Sequence, residues 1–154
     1  MKRLLPIMLL LVLLLQACST SKKLSPQMQK LSSQIAFEYV ALTRGAYNKI
    51  IVSQDSIVTL KQRDLSGAIV KKTDEKDWNR VLMALEKVNL DSISLYKAPT
   101  NKRMADAALM ANLKVFVNGK THESTTFDHG YPPEQIKELT ERIIAMSQLH
   151  KEKE

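Results

Sequence analysis

The sequence predicts an α+β fold: an antiparallel sheet of about five strands with two helices packed on one face. Three observations carry that expectation. Apolar residues alternate with a period of two from Ile35 onward, then switch to helical spacing at Trp78. They alternate again on both sides of Asn118-Gly119, and a final stretch after Pro132-Pro133 returns to the helical period. Strand runs joined by short turns imply antiparallel pairing, and helices separated from them in sequence pack on a sheet face.

The elements follow in order. Ile35, Phe37, Tyr39 and Ala41 alternate with Ala36, Glu38, Val40 and Leu42, a run rich in strand formers that Arg44-Gly45 breaks. A second strand over 47–53 centres on Ile50-Ile51-Val52, and Gln54-Asp55 turns the chain into a third over 56–62. These form a meander, which 65–70 could continue with a bend at Gly67. Trp78, Val81, Leu82, Leu85 and Val88 then obey the i, i+3, i+4, i+7 rule of a one-faced helix. Thr73 or Asp74 is its expected cap, and Glu75 and Asp77 sit where the positive end of the helix dipole favours carboxylates.

Residues 90–96 alternate briefly and read as an edge segment, and Ala98-Pro99-Thr100-Asn101 reads as a loop. Leu109, Ala111, Leu113, Val115 and Val117 alternate with polar or larger neighbours, which places a strand over 109–117. Asn118-Gly119 is the strongest hairpin signal, because both residues tolerate positive φ. A two-residue loop there sets Lys114 opposite Glu123 and Val115 opposite His122, with a return strand over 121–127. Asp128-His129-Gly130-Tyr131 is a turn. Pro132-Pro133-Glu134 opens the last helix, whose buried side is Ile136, Leu139, Ile143, Ile144 and Met146 or Ser147.

The N-terminus is different in kind. Lys2 and Arg3 precede an apolar segment from Leu4 to Leu15 that only Pro6 interrupts, the layout of a secretory signal. It is too short to span a bilayer, which takes ~20 apolar residues. The tetrapeptide Leu15-Gln16-Ala17-Cys18 that ends it resembles the lipobox of bacterial lipoproteins, and Cys18 is the only cysteine in the chain. That resemblance implies cleavage before Cys18 and attachment of diacylglycerol to its thiol. The expected organisation is a signal peptide over 1–17, a lipidated cysteine and flexible polar tether over 18–33, and one α+β domain over 34–150. Two or more acyl chains hold a protein stably at a membrane, at ~0.8 kcal/mol per buried methylene. With Cys18 consumed, no disulfide can form in the mature chain.

Ser19 follows the cysteine where enteric inner-membrane lipoproteins carry aspartate, and residues 20–23 carry no acidic cluster. By the same resemblance, the expected location is the outer membrane, facing the periplasm. Loss of Lys2 and Arg3 from the 23 basic residues leaves 21 against 16 acidic ones. An exported basic domain meets anionic headgroups and polymers rather than nucleic acid, and no aromatic-basic interleaving of the base-stacking kind is present. Four glycines form no phosphate-binding loop, no serine sits in a nucleophile elbow, and no cofactor is implied.

The densest polar constellation is His122, Asp128 and His129. Two imidazoles and a carboxylate suit a divalent metal, and an Asp–His neighbour pair suits acid/base work, although the spacing matches no known motif. The competing reading is structural: Asp128 caps the Pro-Pro helix, Gly130 relieves a bend and His129 fills the turn. Arg44, Arg103 and Asp106 would form a polar cluster if the loops after Thr43 and before Leu109 meet at one sheet end. Tyr39, Tyr47 and Tyr131 are groove candidates, but aromatics on strands more often pack across the sheet.

The mature part resembles small uncharacterised lipoproteins of Gram-negative envelopes in Arg44-Gly45, Ala98-Pro99-Thr100, Asp106, Phe127-Asp128-His129-Gly130 and Pro132-Pro133. That resemblance implies a fold type and a location, and no activity. The expected function is a non-catalytic domain that binds an envelope protein or a polyanionic polymer. The alternative is a small metal-assisted or acid/base enzyme acting on envelope material through His122, Asp128 and His129.

Overall fold

The protein is described by a computed structural model, which covers residues 23–64, 66–105, 108–147 and 149. The chain runs α1 (Pro26–Leu31), β1 (Ile35–Leu42), β2 (Tyr47–Ser53), β3 (Ser56–Leu60) and β4 (Ile69–Lys72), then α2 (Glu75–Leu85). It continues through β5 (Met110–Val117), β6 (Lys120–Glu123), β7 (Phe127–Asp128) and α3 (Glu134–Met146). Short 3-10 turns lie at Ser32–Gln34, Leu90–Leu95 and Lys102–Ala105. The expected α+β architecture is present, with seven strands rather than about five. The antiparallel order is β4-β3-β2-β1-β5-β6, and β7 pairs with β5 beyond the end of β6. Among the described residues no helix is long and apolar enough to cross a membrane.

Alternation decides the layers. Ile35, Phe37, Tyr39 and Ala41 of β1 are buried, and the same side of the sheet receives Val52, Ile50, Val115, Leu113 and Ala111 from the flanking strands. Trp78, Val81, Leu82 and Leu85 of α2 and Ile136, Leu139 and Ile143 of α3 complete this single core. Phe37 and Trp78 meet edge to face at 5.8 Å. Asp74 caps α2 by accepting from the amides of Lys76 and Asp77. The opposite sheet face carries Glu38 paired with Lys49 at 2.7 Å, and the cross-strand pair Lys114–Glu123 at 3.7 Å.

The hairpin at Asn118-Gly119 has the expected register, and both residues take positive φ (49° and 77°). The return strand, however, is not continuous. Lys114 faces Glu123 but Ala111 faces Phe127, so three steps on β5 match four on its partner. One extra residue is a β-bulge. At the break the Leu113 amide donates to Ser124 Oγ at 3.0 Å, and the Ser124 amide donates to the Leu113 carbonyl at 2.9 Å. The consequence is large because strand faces alternate. Without the slip Phe127 would face Met110 and leave the core; with it, Phe127 faces Ala111 and is fully buried beside Tyr39.

Three further expectations are corrected. Residues 90–96 are no strand: the Asn89 side chain accepts from the Asp91 amide and opens a 3-10 turn that buries Ile93 alone. Strand β4 lies at Ile69–Lys72, beyond the bend at Gly67 (φ 72°), rather than over 65–70. Finally, the stretch read as a flexible tether is folded from Leu24 on. Ser25 caps Met28 with Pro26 at the first helical position, and Leu24, Met28 and Leu31 pack against the core. The Trp78 indole donates to Ser32 Oγ at 2.8 Å, which ties this segment to α2.

The bulge yields a stability test. Ser124→Ala leaves the buried Leu113 amide without its acceptor and should cost about 1–3 kcal/mol. Ile69→Ala on the exposed edge of β4 should cost under about 1 kcal/mol. Denaturant unfolding of the two variants measures the difference.

Candidate functional site

Asp128 closes β7 and is fully buried. A buried carboxylate must find donors for its oxygens, and this one finds four. Oδ2 accepts from Thr100 Oγ1 at 2.5 Å and from the Lys102 amide at 2.7 Å. Oδ1 accepts from the Arg103 amide and from Arg103 Nη1, both at 3.0 Å. Arg103 Nη1 also donates to the Thr100 carbonyl at 2.7 Å. Burial alone would raise the Asp128 pKa. The hydrogen bonds from Thr100, Arg103 and Lys102 outweigh it and hold the carboxyl well below the usual range. Asp128 is therefore an anion, and its roughly four lone-pair sites are all occupied. It has no lone pair left for a metal or a substrate proton.

The expectation that Asp128 caps the Pro-Pro helix is corrected. Helix α3 begins at Glu134 with Pro133 as its N-cap and no side-chain cap, while Asp128 receives the first amides of the 3-10 turn at Lys102–Ala105. The turn after it is as expected: the Tyr131 amide donates to the Asp128 carbonyl at 2.8 Å, and Gly130 takes φ 84°. A side chain at that position would be strained.

His129 is half-buried, and its Nδ1 lies 2.7 Å from the Tyr39 hydroxyl. The amide of His129 donates to the Leu109 carbonyl at 2.9 Å. Tyr39 is fully buried, and burial pushes its phenol pKa far up, so it is neutral at working pH. Thus Tyr39 is core, not groove. His122 is elsewhere. Its Nδ1 lies 3.1 Å from the Leu90 carbonyl, and it faces Val115 while Asp128 faces Met110. Five residues of strand separate those partners, ~17 Å. Among the described residues no group of three His, Cys, Asp or Glu side chains could hold a metal ion.

The loops after Thr43 and before Leu109 do meet at one sheet end. Arg44, Arg63 and Arg103 line a hollow of about 240 Å³ there, with Leu42 and Met110. Asp106 and Cys18 lie outside the described residues. Tyr47 lies under the Arg63 guanidinium at 5.4 Å, and Tyr131 under the Lys102 ammonium at 4.5 Å. A more apolar hollow of about 450 Å³ lies at the other end of β1, between α1 and the end of α2, with no titratable cluster in it.

The sequence did not point to Asp128 as a partner of Arg103, nor to Arg63 as a neighbour of either, and Thr100 was not placed beside them. A signal for Thr100 was present: Ala98-Pro99-Thr100 and Phe127-Asp128 were singled out separately and prove to touch through its hydroxyl. Arg63 carried no local signal, because only the fold of the β3–β4 connection brings it to the sheet end.

No family model matches the chain, and no curated protein or solved structure is significantly similar to it.

Acid should expose the role of Asp128. A folded pKa below the unfolded value of 3.8 contributes stability that is complete above that value and is lost as pH falls from there through the folded pKa. Melting temperature should drop between roughly pH 5 and pH 2 in the parent. Asp128→Asn should melt lower at neutral pH and show a flatter acid slope, measured by thermal unfolding against pH.

Proposed function

We propose that the chain is a lipid-anchored envelope lipoprotein whose folded part is a non-catalytic binding or interaction domain facing the periplasm, held at the outer membrane. The observation that carries this reading is Leu15-Gln16-Ala17-Cys18, set directly after the apolar segment and its Lys2-Arg3 lead. Saturation of Asp128 supports the non-catalytic half, since the best acid/base candidate is spent on holding two backbone amides, a threonine and an arginine. The partner would be an envelope protein or a polyanionic polymer, met by a chain that keeps more basic than acidic residues after the signal is removed.

The folding of α1 changes the reach. With Leu24 packed on the core, five residues, and so six Cα–Cα steps, separate the domain from Cys18. Fully stretched, they span ~20 Å. The domain would work close against its own bilayer.

The enzyme alternative needs His122, Asp128 and His129 in one place. Their separation along β5 supports the binding reading instead.

Labelled palmitate should enter the parent protein and not Cys18→Ser. The parent should sediment with membranes, and the variant should move to the soluble periplasmic fraction. A parent that is unlabelled and soluble defeats the proposal.

A further inference from the structure

We propose that the hollow rimmed by Arg44, Arg63 and Arg103 binds a phosphate-type oxyanion, the group shared by anionic phospholipid headgroups and free phosphate esters. Three separate chain segments build it. Its floor is Leu42 and Met110, direct cross-strand neighbours of β1 and β5 on the face away from the helices. Thr43 and Arg44 come from the β1–β2 connection, Arg63 from the stretch after β3, and Arg103 from the 3-10 turn. The hollow measures about 240 Å³, against ~30 Å³ for a water in the liquid. An oxyanion with a small ester group fits.

The three guanidiniums are unequally committed. Arg103 is fixed: Nη1 spends both hydrogens on Thr100 and Asp128, its side chain is 14% exposed, and Nε and Nη2 still carry three N–H groups. Arg63 is steadied by the Tyr47 ring and by a long 3.5 Å bond to the Thr43 carbonyl, with no ion pair among the described residues. Arg44 is exposed and makes neither a hydrogen bond nor an ion pair among them. The neighbouring Asp64 carboxylate accepts instead from the amide and hydroxyl of Ser66.

Asp128 therefore balances one guanidinium, and two positive charges at the rim are left without a described counter-ion. Guanidiniums brought to one hollow repel each other, and an anion between them removes that repulsion. The planar fork of arginine matches phosphate oxygens two at a time, with charge-assisted bonds about twice as strong as neutral ones. Asp128 acts as a positioning residue here: it touches no ligand and holds Arg103 at the rim. The inference does not depend on the lipid anchor, and its test is separate from palmitate labelling.

The test titrates the full-length protein, in non-ionic detergent, with inorganic phosphate and with dihexanoylphosphatidylglycerol, by calorimetry. Binding of at least one probe is expected, weakened about tenfold to a hundredfold in Arg44→Gln/Arg63→Gln. Lys71→Gln/Lys72→Gln, which removes two charges from β4, should leave it unchanged. Phosphate alone binding would identify a soluble ester as the source, and the lipid alone would identify a headgroup. Should the double variant fail to fold, Arg44→Gln decides, since that side chain has no described partner to lose. No binding of either probe at millimolar concentration overturns the proposal. So does equal weakening by the lysine pair, or no weakening in the arginine variants.

Discussion

The buried carboxylate of Asp128 is the interaction on which this end of the domain depends. A strand end, a loop and a 3-10 turn converge on it. Residues 98–105 contain no long apolar stripe that could dock them by hydrophobic burial alone. What pins them is an ionised group with every lone pair taken by Thr100, Lys102 and Arg103. Removing one partner of such a set strands a charge in a dry place, which costs more than the set contributes when complete. The arrangement also gives Arg103 a fixed direction, which a surface arginine normally lacks.

That carboxylate is delivered by an irregularity. The bulge at Ser124 shifts the last part of the return strand by one residue, so that Phe127 enters the core and Asp128 stands at its margin under the loop. A regular hairpin would reverse both positions and put an aromatic ring where the charge now sits. Packing and electrostatics therefore favour the same register. Tyr39 adds a third tie, with its ring against Phe127 and its hydroxyl on His129. Asp128 holds backbone amides of the 3-10 turn in place, and the His129 ring joins the buried Tyr39 hydroxyl.

Much of this was legible in the sequence, and the boundary of legibility is physical. The alternation from Ile35 to Leu42 reveals a central strand because burial on one side forces it, and Asn118-Gly119 fixes a hairpin because few residues accept positive φ. The helical stripe of Trp78, Val81, Leu82 and Leu85 is equally direct. What stayed hidden depends on long-range geometry. The bulge needs only one unpaired residue and no special composition. The folded segment at Pro26–Leu31 is too short to show a period, and it is held by Trp78 and Glu86, far along the chain. The polar pattern near Asp128 pointed to the right residue with the wrong partner, because a carboxylate before two prolines looks like a local cap. Its donors lie 25 to 28 residues away.

Amide hydrogen exchange at Lys102 and Arg103 tests the role of Asp128 most directly. Both amides sit in a short turn near the surface, where exchange is ordinarily fast. If the buried carboxylate accepts from both, they will be protected at neutral pH to nearly the degree of the β1 amides, and Asp128→Asn will release them while β1 stays protected. Exchange at free-loop rates in the unmodified protein would contradict the account.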